Sequence, residues 1–366
     1  MANDNQDYQV IIVGGGPAGI ATSLSLSSRG ITNCVIEAKS LPTAKTGEAI
    51  PPNAKPLLNK LGVKHLLDHP EHTIYYGNKS CWGTDELEQK EFITGIHGHG
   101  YLLNRLYFES QLRQYLTDRS NNLKAGYQLK KVIRTADGIE VCVDDGTQTI
   151  WMKASYIVDA TGRKASVCRQ LGESKIQIDS QFAITFSINL KEPISHQITI
   201  EATENGWWYA APQQGTKLIL MFFTLSELIP HKTQMKSFVL SELENSLHIS
   251  QLINGGDLEF ENTKIKPTGT SRLEVPYGEN WIAVGDAAFS YDPISSYGIT
   301  SALASGYYAG HALASALSNK KDAMLSYRYV VESAFQAYME KLEYQYAQEN
   351  RWENSLYWTK RFSHMV

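Results

Sequence analysis

The chain has 366 residues, 20% of them charged, and a formal net charge of −4. That length holds two domains or one large one with a full core, and the mildly acidic balance argues against a nucleic-acid scaffold. No apolar run is long enough to cross a membrane, no basic-then-apolar leader is visible, and the four cysteines (Cys34, Cys81, Cys142, Cys168) are scattered without metal-like spacing. The expectation is a cytoplasmic protein with no nucleic acid, membrane or metal as partner.

Residues 10–13 form an apolar run opening straight into Gly14-x-Gly16-x-x-Gly19. Gly14 permits a tight turn, Gly16 lets backbone approach a pyrophosphate, and Gly19 lets the next helix (20–28) pack on the strand. A second strand, 33–37, ends in Glu37, 18 residues after Gly19, where a carboxylate can take a ribose hydroxyl pair. The strand-glycine-helix-strand-acid unit reads as a dinucleotide site. Next, Pro51 and Pro52 fix an extended approach, Asn53 can cap, and 55–61 makes a short helix closed by Gly62. Gly47 and Glu48 are not needed for that helix; they form either a surface loop or a loop lying against a cofactor ring, with Glu48 facing it.

Residues 73–82 read as a strand, and 84–100 as a polar loop or hairpin carrying His97 and His99. In a strand those two rings would share a face, as metal ligands or a base, but no carboxylate or thiol stands nearby and a plain loop pair is the reading. Residues 101–116 are a periodic helix beginning near Asn104-Arg105. Arg105 in its first turn opposes the helix dipole, which points either to an anionic partner or to tertiary contacts that offset the cost. From 123 to 152, alternation and the turn signals at 137–138 and 144–146 argue a meander of hairpins. Residues 156–163 then repeat a buried strand ending in small residues, with Ser166 and Arg169 on the following turn or short helix.

Past about residue 176, successive strands at 182–190, 197–202, 206–212 and 217–224 suggest a mixed or antiparallel sheet whose aromatic load is mostly core. An amphipathic helix covers 232–247. The chain then reaches 281–300: a buried strand, a tight turn at Gly285, the acid Asp286, a loop stiffened by Pro293, and after Gly298 a small-residue helix at 299–313. That arrangement offers a ligand one hydrogen-bond acceptor and one positive dipole end. The tail, 326–366, reads as a packed helical cap.

Gly14, Gly16 and Gly19 with Glu37, Gly47-Glu48 before Pro51-Pro52, Arg105, Asp159-Ala-Thr-Gly162 and Gly285-Asp286…Asp292-Pro293…Gly298 together resemble FAD-dependent monooxygenases of the p-hydroxybenzoate hydroxylase type and their flavin halogenase relatives, over nearly the whole chain. The resemblance implies an α/β fold. A Rossmann-like GxGxxG FAD-binding domain (1–72, 101–175 and 267–325) is interleaved with a mostly antiparallel β-sheet substrate domain (73–100 and 176–266), and a C-terminal helical region (326–366) follows. By the same resemblance Glu37 holds the adenosine ribose, Arg105 lies near the phosphate or ribityl region, and Asp286 takes the ribityl or phosphate side. Pro293, Gly298, Ile299 and Thr300 border the isoalloxazine, and Ala18, Lys45, Glu48, Ala160, Gly162 and Gly285 complete the expected contacts.

In such enzymes a helix N-terminus near Gly298 would stabilise reduced flavin, and the C4a-hydroperoxyflavin that follows O2 addition needs a dry pocket, of which the aromatic sheet could be one wall. Three passages are similar to a narrower group, the flavoproteins accompanying lysine ε-oxidase and glycine oxidase, which bear a tryptophylquinone. They are Gly47-Glu-Ala-Ile-Pro-Pro52 with Pro56-Leu-Leu-x-x-Leu-Gly62, Gly206-Trp-Trp-Tyr-Ala-Ala-Pro212, and Ser271-Arg-Leu-Glu274. The implied reaction is hydroxylation of a tryptophan side chain in a precursor amino-acid oxidase, towards cysteine tryptophylquinone.

Alternatives are a small-molecule aromatic hydroxylase, a flavin halogenase, or a non-catalytic flavin-bearing maturation partner. Halogenases carry Trp-x-Trp-x-Ile-Pro, degraded here, and a relay lysine for which the neighbouring strand offers only Lys79. Glu48, Pro293 and Tyr297 are the expected catalytic residues, with His97 and His99 as further bases. With a single dinucleotide unit, NAD(P)H or another reductant would bind transiently, and O2 would be the co-substrate.

Overall fold

The computed structural model describes residues 6–92, 95–120, 122–320 and 322–363. The reading of a chain start without a leader falls on residues 1–5, outside the described residues, as do 93–94 of the expected 84–100 loop and 364–366 of the tail.

Val10, Ile11, Ile12, Cys34, Val35 and Ile36 are buried without alternation, the pattern of parallel strands covered on both faces. Gln6–Val13 runs parallel to Asn33–Glu37 on one side and to Thr149–Asp159 on the other, and Thr149–Asp159 runs parallel to Trp281–Ala283. Leu123–Ala125 adds a parallel strand beyond Asn33–Glu37. Among the described residues this sheet has eight strands. Its antiparallel pairs are the meander Gln128–Thr135 and Gly138–Asp144 leading into Thr149–Asp159, and Tyr277–Gly278 beside Trp281–Ala283. The registers Val13↔Ile36, Val13↔Asp159 and Asp159↔Ala283 bring the C-terminal ends of four strands level. The three small-residue motifs therefore issue from one edge, where open α/β sheets bind ligands.

The helices Pro17–Ser27 and Gly298–Leu317 pack against each other over this sheet, and small residues make that closeness possible. A methyl group at Gly306 would lie 2.3 Å from the carbonyl oxygen of Ala18, and one at Gly310 would lie 2.4 Å from Ser25 Oγ. The Ala, Gly and Ser content of the later helix is thus a packing requirement.

A second, seven-stranded sheet has the order Asp257–Pro267, Gln181–Asn189, Lys217–Leu225, Gly206–Pro212, Gln197–Thr203, Gly77–Cys81, Glu88–Glu91. All its pairings are antiparallel except that of Gln197–Thr203 with Gly77–Cys81. Alternation sorts its side chains. Trp208, Leu220, Phe222, Ile184 and Phe186 face the helix Met235–Glu244, while Trp207, Tyr209, Met221 and Phe223 face the main core.

The single strand expected at 73–82 is two. Thr73–Tyr75 belongs to a small sheet with Ala49–Ile50 and Gly100–Leu102, and the chain changes sheets at Tyr76. Asn53 is not a cap; it lies inside a short 3₁₀ turn, and its side chain donates to the Tyr297 hydroxyl.

Glu201, buried on Gln197–Thr203, accepts from the backbone N–H groups of Leu247 (2.5 Å), His248 (3.0 Å) and Ile249 (2.7 Å), capping the short helix His248–Leu252 from across the fold. Glu201→Ala orphans these donors and is expected to cost roughly 2–3 kcal/mol, read as a lower urea midpoint at unchanged slope.

The tail is helical, as Ala323–Ala347 and Leu356–Ser363, but it is more than a cap. Trp358 donates its indole N–H to the Thr203 carbonyl, and Arg361 reaches the centre of the molecule. All four cysteines are buried and unpaired. Among the described residues no helix is long and apolar enough to cross a membrane.

Candidate functional site

A cleft of about 1160 Å³ runs from the glycine turn at the strand ends to the inner face of the seven-stranded sheet. At one end stand Gly14, Gly16 and Glu37; at the other, Tyr209, Met221 and Phe223. The glycines are required by close approach. Gly14 has φ +116°, and a methyl group there would lie 2.2 Å from the Ala160 carbonyl oxygen; one on Gly19 would lie 1.9 Å from that of Gly14. Around a methyl on Gly16 no atom lies within 4 Å, so this position is open to the cleft. It is also the residue before the helix Pro17–Ser27, whose first N–H groups have no partners within the helix.

Glu37 is held in place. Its Oε2 accepts from Gly15 N (2.7 Å) and lies 3.4 Å from Arg113, and its Oε1 accepts from Lys39 N (2.9 Å). Arg113 also donates to the carbonyls of Gly15 and Lys39, stitching the glycine turn to the loop after Glu37.

Arg113 was absent from the sequence reading, but a signal existed. Arg105, Glu109 and Arg113 recur every four residues on the helix Arg105–Ser120, and all three turn inward. The dipole cost at Arg105 is met by tertiary contacts: it donates to the Gly47 carbonyl (2.7 Å) and to Glu109 (2.5 Å), and Lys45 also bonds Glu109 (2.6 Å). Burial alone would raise the Glu109 carboxyl, but Arg105 and Lys45 hold it below the usual range. Two cations on one carboxylate leave this wall net positive, and Arg105 Nε is buried without a partner.

On the opposite wall Asp286 follows the turn at Gly285. Its carboxylate lies 3.6 Å from Arg163, and its carbonyl accepts from Lys175 (2.6 Å), an ammonium that burial brings down to about 8. Arg163 ties that wall to the carbonyls of Thr268, Gly269 and Tyr291. Asp159 is structural: fully buried, it accepts from Thr161 N, Thr161 Oγ1 and Cys168 N, and so shapes the turn presenting Ala160 and Gly162.

Deep in the cleft is Glu48, 4% exposed. Its Oε2 has no hydrogen-bond partner, and burial pushes the carboxyl up to about 7 despite backbone N–H groups and Arg105 pulling it down. Tyr209, whose phenol burial and Glu48 hold well above its ordinary range, lines the same cleft. Phe223 stacks on Trp207 behind it, ring centroids 4.0 Å apart.

Of the residues singled out from sequence, Gly14, Gly16, Ala18, Glu37, Lys45, Glu48, Arg105, Ala160, Gly162, Asp286, Pro293, Gly298 and Ile299 line this one cleft. Gly19, Gly285 and Thr300 do not. Gly19 is a packing contact, and Gly285 (φ +56°) lines a separate apolar pocket of about 80 Å³ beside the helices Gly298–Leu317 and Ala323–Ala347. Tyr297 also lies outside the lining, 40% exposed, its hydroxyl on Asn53. His97, His99 and Lys79 are outside it too; His99 bonds Tyr101, and Lys79 lies near Ser195 on the far strand. Among the described residues no three His, Cys, Asp or Glu side chains are placed to hold a metal ion.

FAD fits this donor set. The lining has seven basic side chains against four carboxyls, a glycine cradle open where a side chain would fill it, and a fixed acid at the end of the second strand. The chain matches the family model described as FAD binding domain over residues 7–339. It is 27% identical over 364 residues to the putative FAD-dependent oxidoreductase LodB of Marinomonas mediterranea, spanning 97% of each chain. To a 1H-pyrrole-2-carbonyl-peptidyl-carrier-protein brominase of Pseudoalteromonas luteoviolacea it is 23% identical, over 85% of this chain and 78% of that one. Among solved structures, the myxobacterial chondrochloren halogenase CndH superposes with TM-score 0.89 at 17% identity, covering 97% of this chain and 86% of its own. The peptidyl tryptophan dihydroxylase QhpG superposes with TM-score 0.77 at 19% identity, covering 97% and 78%. At such identities the structural likeness establishes the fold.

Proposed function

Because this chain belongs to the FAD binding domain family and is an FAD-dependent oxidoreductase, we propose that it is a monooxygenase that hydroxylates an aromatic ring, the ring being a tryptophan side chain of a precursor amino-acid oxidase on its way to a tryptophylquinone. The observation that carries the reading is Glu48: a buried carboxyl with an unpartnered oxygen, poised near neutrality in a cleft walled by Tyr209, Met221 and Phe223. Bound FAD, reduced by a transient nicotinamide or another donor, supplies the electrons and the place where O2 is activated.

The chain's own residues do the rest. Gly14 and Gly16 would admit the pyrophosphate to the helix N-terminus, Glu37 would take the ribose, and Lys45 and Arg105 would balance phosphate charge. The N-terminus of Gly298–Leu317, at the cleft lining, would offer its positive end to a flavin ring bound there. Tyr209, Met221 and Phe223 exclude water and offer an indole an apolar bed. Glu48 Oε2 accepts the proton the aromatic ring sheds as oxygen adds, which asks for a base whose pKa lies near the working pH. The tryptophan side chain as substrate is supported by the fold shared with QhpG, a peptidyl tryptophan dihydroxylase essential for tryptophylquinone cofactor biogenesis. The halogenase relatives favour chlorination or bromination as the competing outcome; Lys79, outside the cleft, does not supply the lysine expected for it.

The test is intact mass of a precursor oxidase incubated with this protein, FAD, NADH, O2 and halide. A gain of one or two oxygen atoms, lost without O2, is expected. Halogen replacing hydrogen, or no gain on the precursor while a free aromatic is hydroxylated, overturns the assignment.

A further inference from the structure

The last helix places one side chain where no surface cap needs it. Arg361 is 1% exposed, and its guanidinium lies between two buried carboxylates, Asp179 Oδ1 at 3.0 Å and Asp292 Oδ2 at 2.5 Å, over the ring of Tyr346 at 4.1 Å. Asp292 opens the turn Pro293–Ser295, whose Ile294 N–H bonds Asp292 Oδ1 at 2.9 Å. After that turn begins Gly298–Leu317, and Asp292, Pro293, Ser296 and Gly298 all line the cleft. The Asp292 carboxylate is therefore shared: one oxygen shapes the cleft-facing turn, and the other is held from behind by Arg361, Tyr346 (3.0 Å) and Gln181 (3.2 Å).

The same network reaches the opposite wall. The Tyr346 hydroxyl accepts from the Trp207 indole N–H at 3.0 Å, and Trp207 is the residue stacked on Phe223. Gln181, on the strand Gln181–Asn189, accepts from Tyr357 at 2.7 Å. Arg361, Tyr357 and Tyr346 all lie beyond residue 339, where the family match ends. Arg361 Nε and Nη1 have no hydrogen-bond partner, so the guanidinium is held by its two ion pairs, and taking one partner from such a buried group leaves an uncompensated charge.

We propose that Arg361 is a positioning residue for the turn 292–298, and that through Asp292 and Tyr346 the C-terminal helix sets the spacing between the flavin-facing turn and the aromatic wall. This rests on the reading that the flavin ring lies against 292–298. Asp179 is the anchor: burial would raise its carboxyl, but Arg361 and the backbone N–H groups of Thr270 and Gln181 hold it below its ordinary range. It keeps Arg361 charged and in place when Asp292 is altered.

The experiment compares Arg361→Met, Arg361→Lys and Asp292→Asn with the wild type by hydrogen exchange of the FAD-free protein, FAD titration and the visible spectrum of bound flavin. Arg361→Met is expected to weaken FAD at least tenfold, shift the flavin spectrum, and speed exchange in 292–298 while 6–13 and 149–159 keep their protection; Arg361→Lys restores part of each. Should Arg361→Met fail to fold, Asp292→Asn, which leaves Arg361 on Asp179, carries the test and is expected to move the same three readouts. Wild-type values in the folded variants, or exchange rising equally in all segments, overturn the proposal. A wild-type protein that binds FAD yet hydroxylates nothing sinks the functional reading and leaves these three readouts standing.

Discussion

Gly16→Val is expected to yield a folded protein that no longer retains FAD. Gly16 has φ −87°, an angle any residue adopts, and around an added Cβ no protein atom lies within 4 Å. The branched side chain thus costs the polypeptide little and occupies the volume next to the helix N-terminus where a pyrophosphate would lie. A loss of about 100-fold in affinity, near 3 kcal/mol, is expected by fluorescence titration, with the thermal midpoint of the FAD-free protein unchanged. Gly14 is the contrast. Its φ of +116° and the carbonyl 2.2 Å from an added methyl mean that Gly14→Val distorts the sheet edge itself, lowering that midpoint as well as affinity. Equal affinity in Gly16→Val and wild type would place the dinucleotide elsewhere.

Glu48→Gln is expected to slow single-turnover ring hydroxylation by about 10²–10⁴-fold while FAD affinity changes little. The wild-type rate should rise with pH through about 7, as the carboxylate forms, and the variant should lose that acid limb. Stability runs the other way. A carboxyl raised from 4.5 to about 7 binds its proton more tightly in the folded than in the unfolded chain. The native state of the FAD-free protein is therefore favoured below about 4.5, and that advantage, roughly 3 kcal/mol, is lost as pH rises through 7. Glu48→Gln should flatten this dependence in urea titrations across pH 5–8. A variant with a wild-type rate profile would remove Glu48 from the proton path.

The features legible in the sequence were those whose cause is local. Glycines at 14, 16 and 19 are demanded by contacts within one turn, and Glu37 is bound to them by its distance along the chain. Glu48 could be read as a surface residue or as one facing a cofactor, and only burial by distant strands takes it off the surface and into the cleft. Tyr297 adjoins Gly298 in sequence, yet after the turn at Ser296 (φ +52°) it stands 40% exposed and outside the cleft lining. Lys79 could not be assigned a face because the chain changes sheets at Tyr76, which interrupts the alternation. For Arg113 the four-residue spacing was legible but its partner Glu37 was not, and Arg361 carried no local signal: each is a charged residue buried by a partner more than sixty positions away.

The pairing of Gln6–Val13 with Thr149–Asp159, and of that strand with Trp281–Ala283, also bears on how the protein is made. At synthesis rates of about 5–20 residues per second, the first strand emerges on the order of ten seconds before its neighbour at 149–159. Its fully apolar stretch 10–13 then waits with one edge open, beside only its parallel crossover partner 33–37. Trp281–Ala283 arrives later still, and the helix bearing Arg361 later again. Folding of such long-range topology is expected to be slow, with FAD able to dock only after the residues up to 302 that line the cleft have been made.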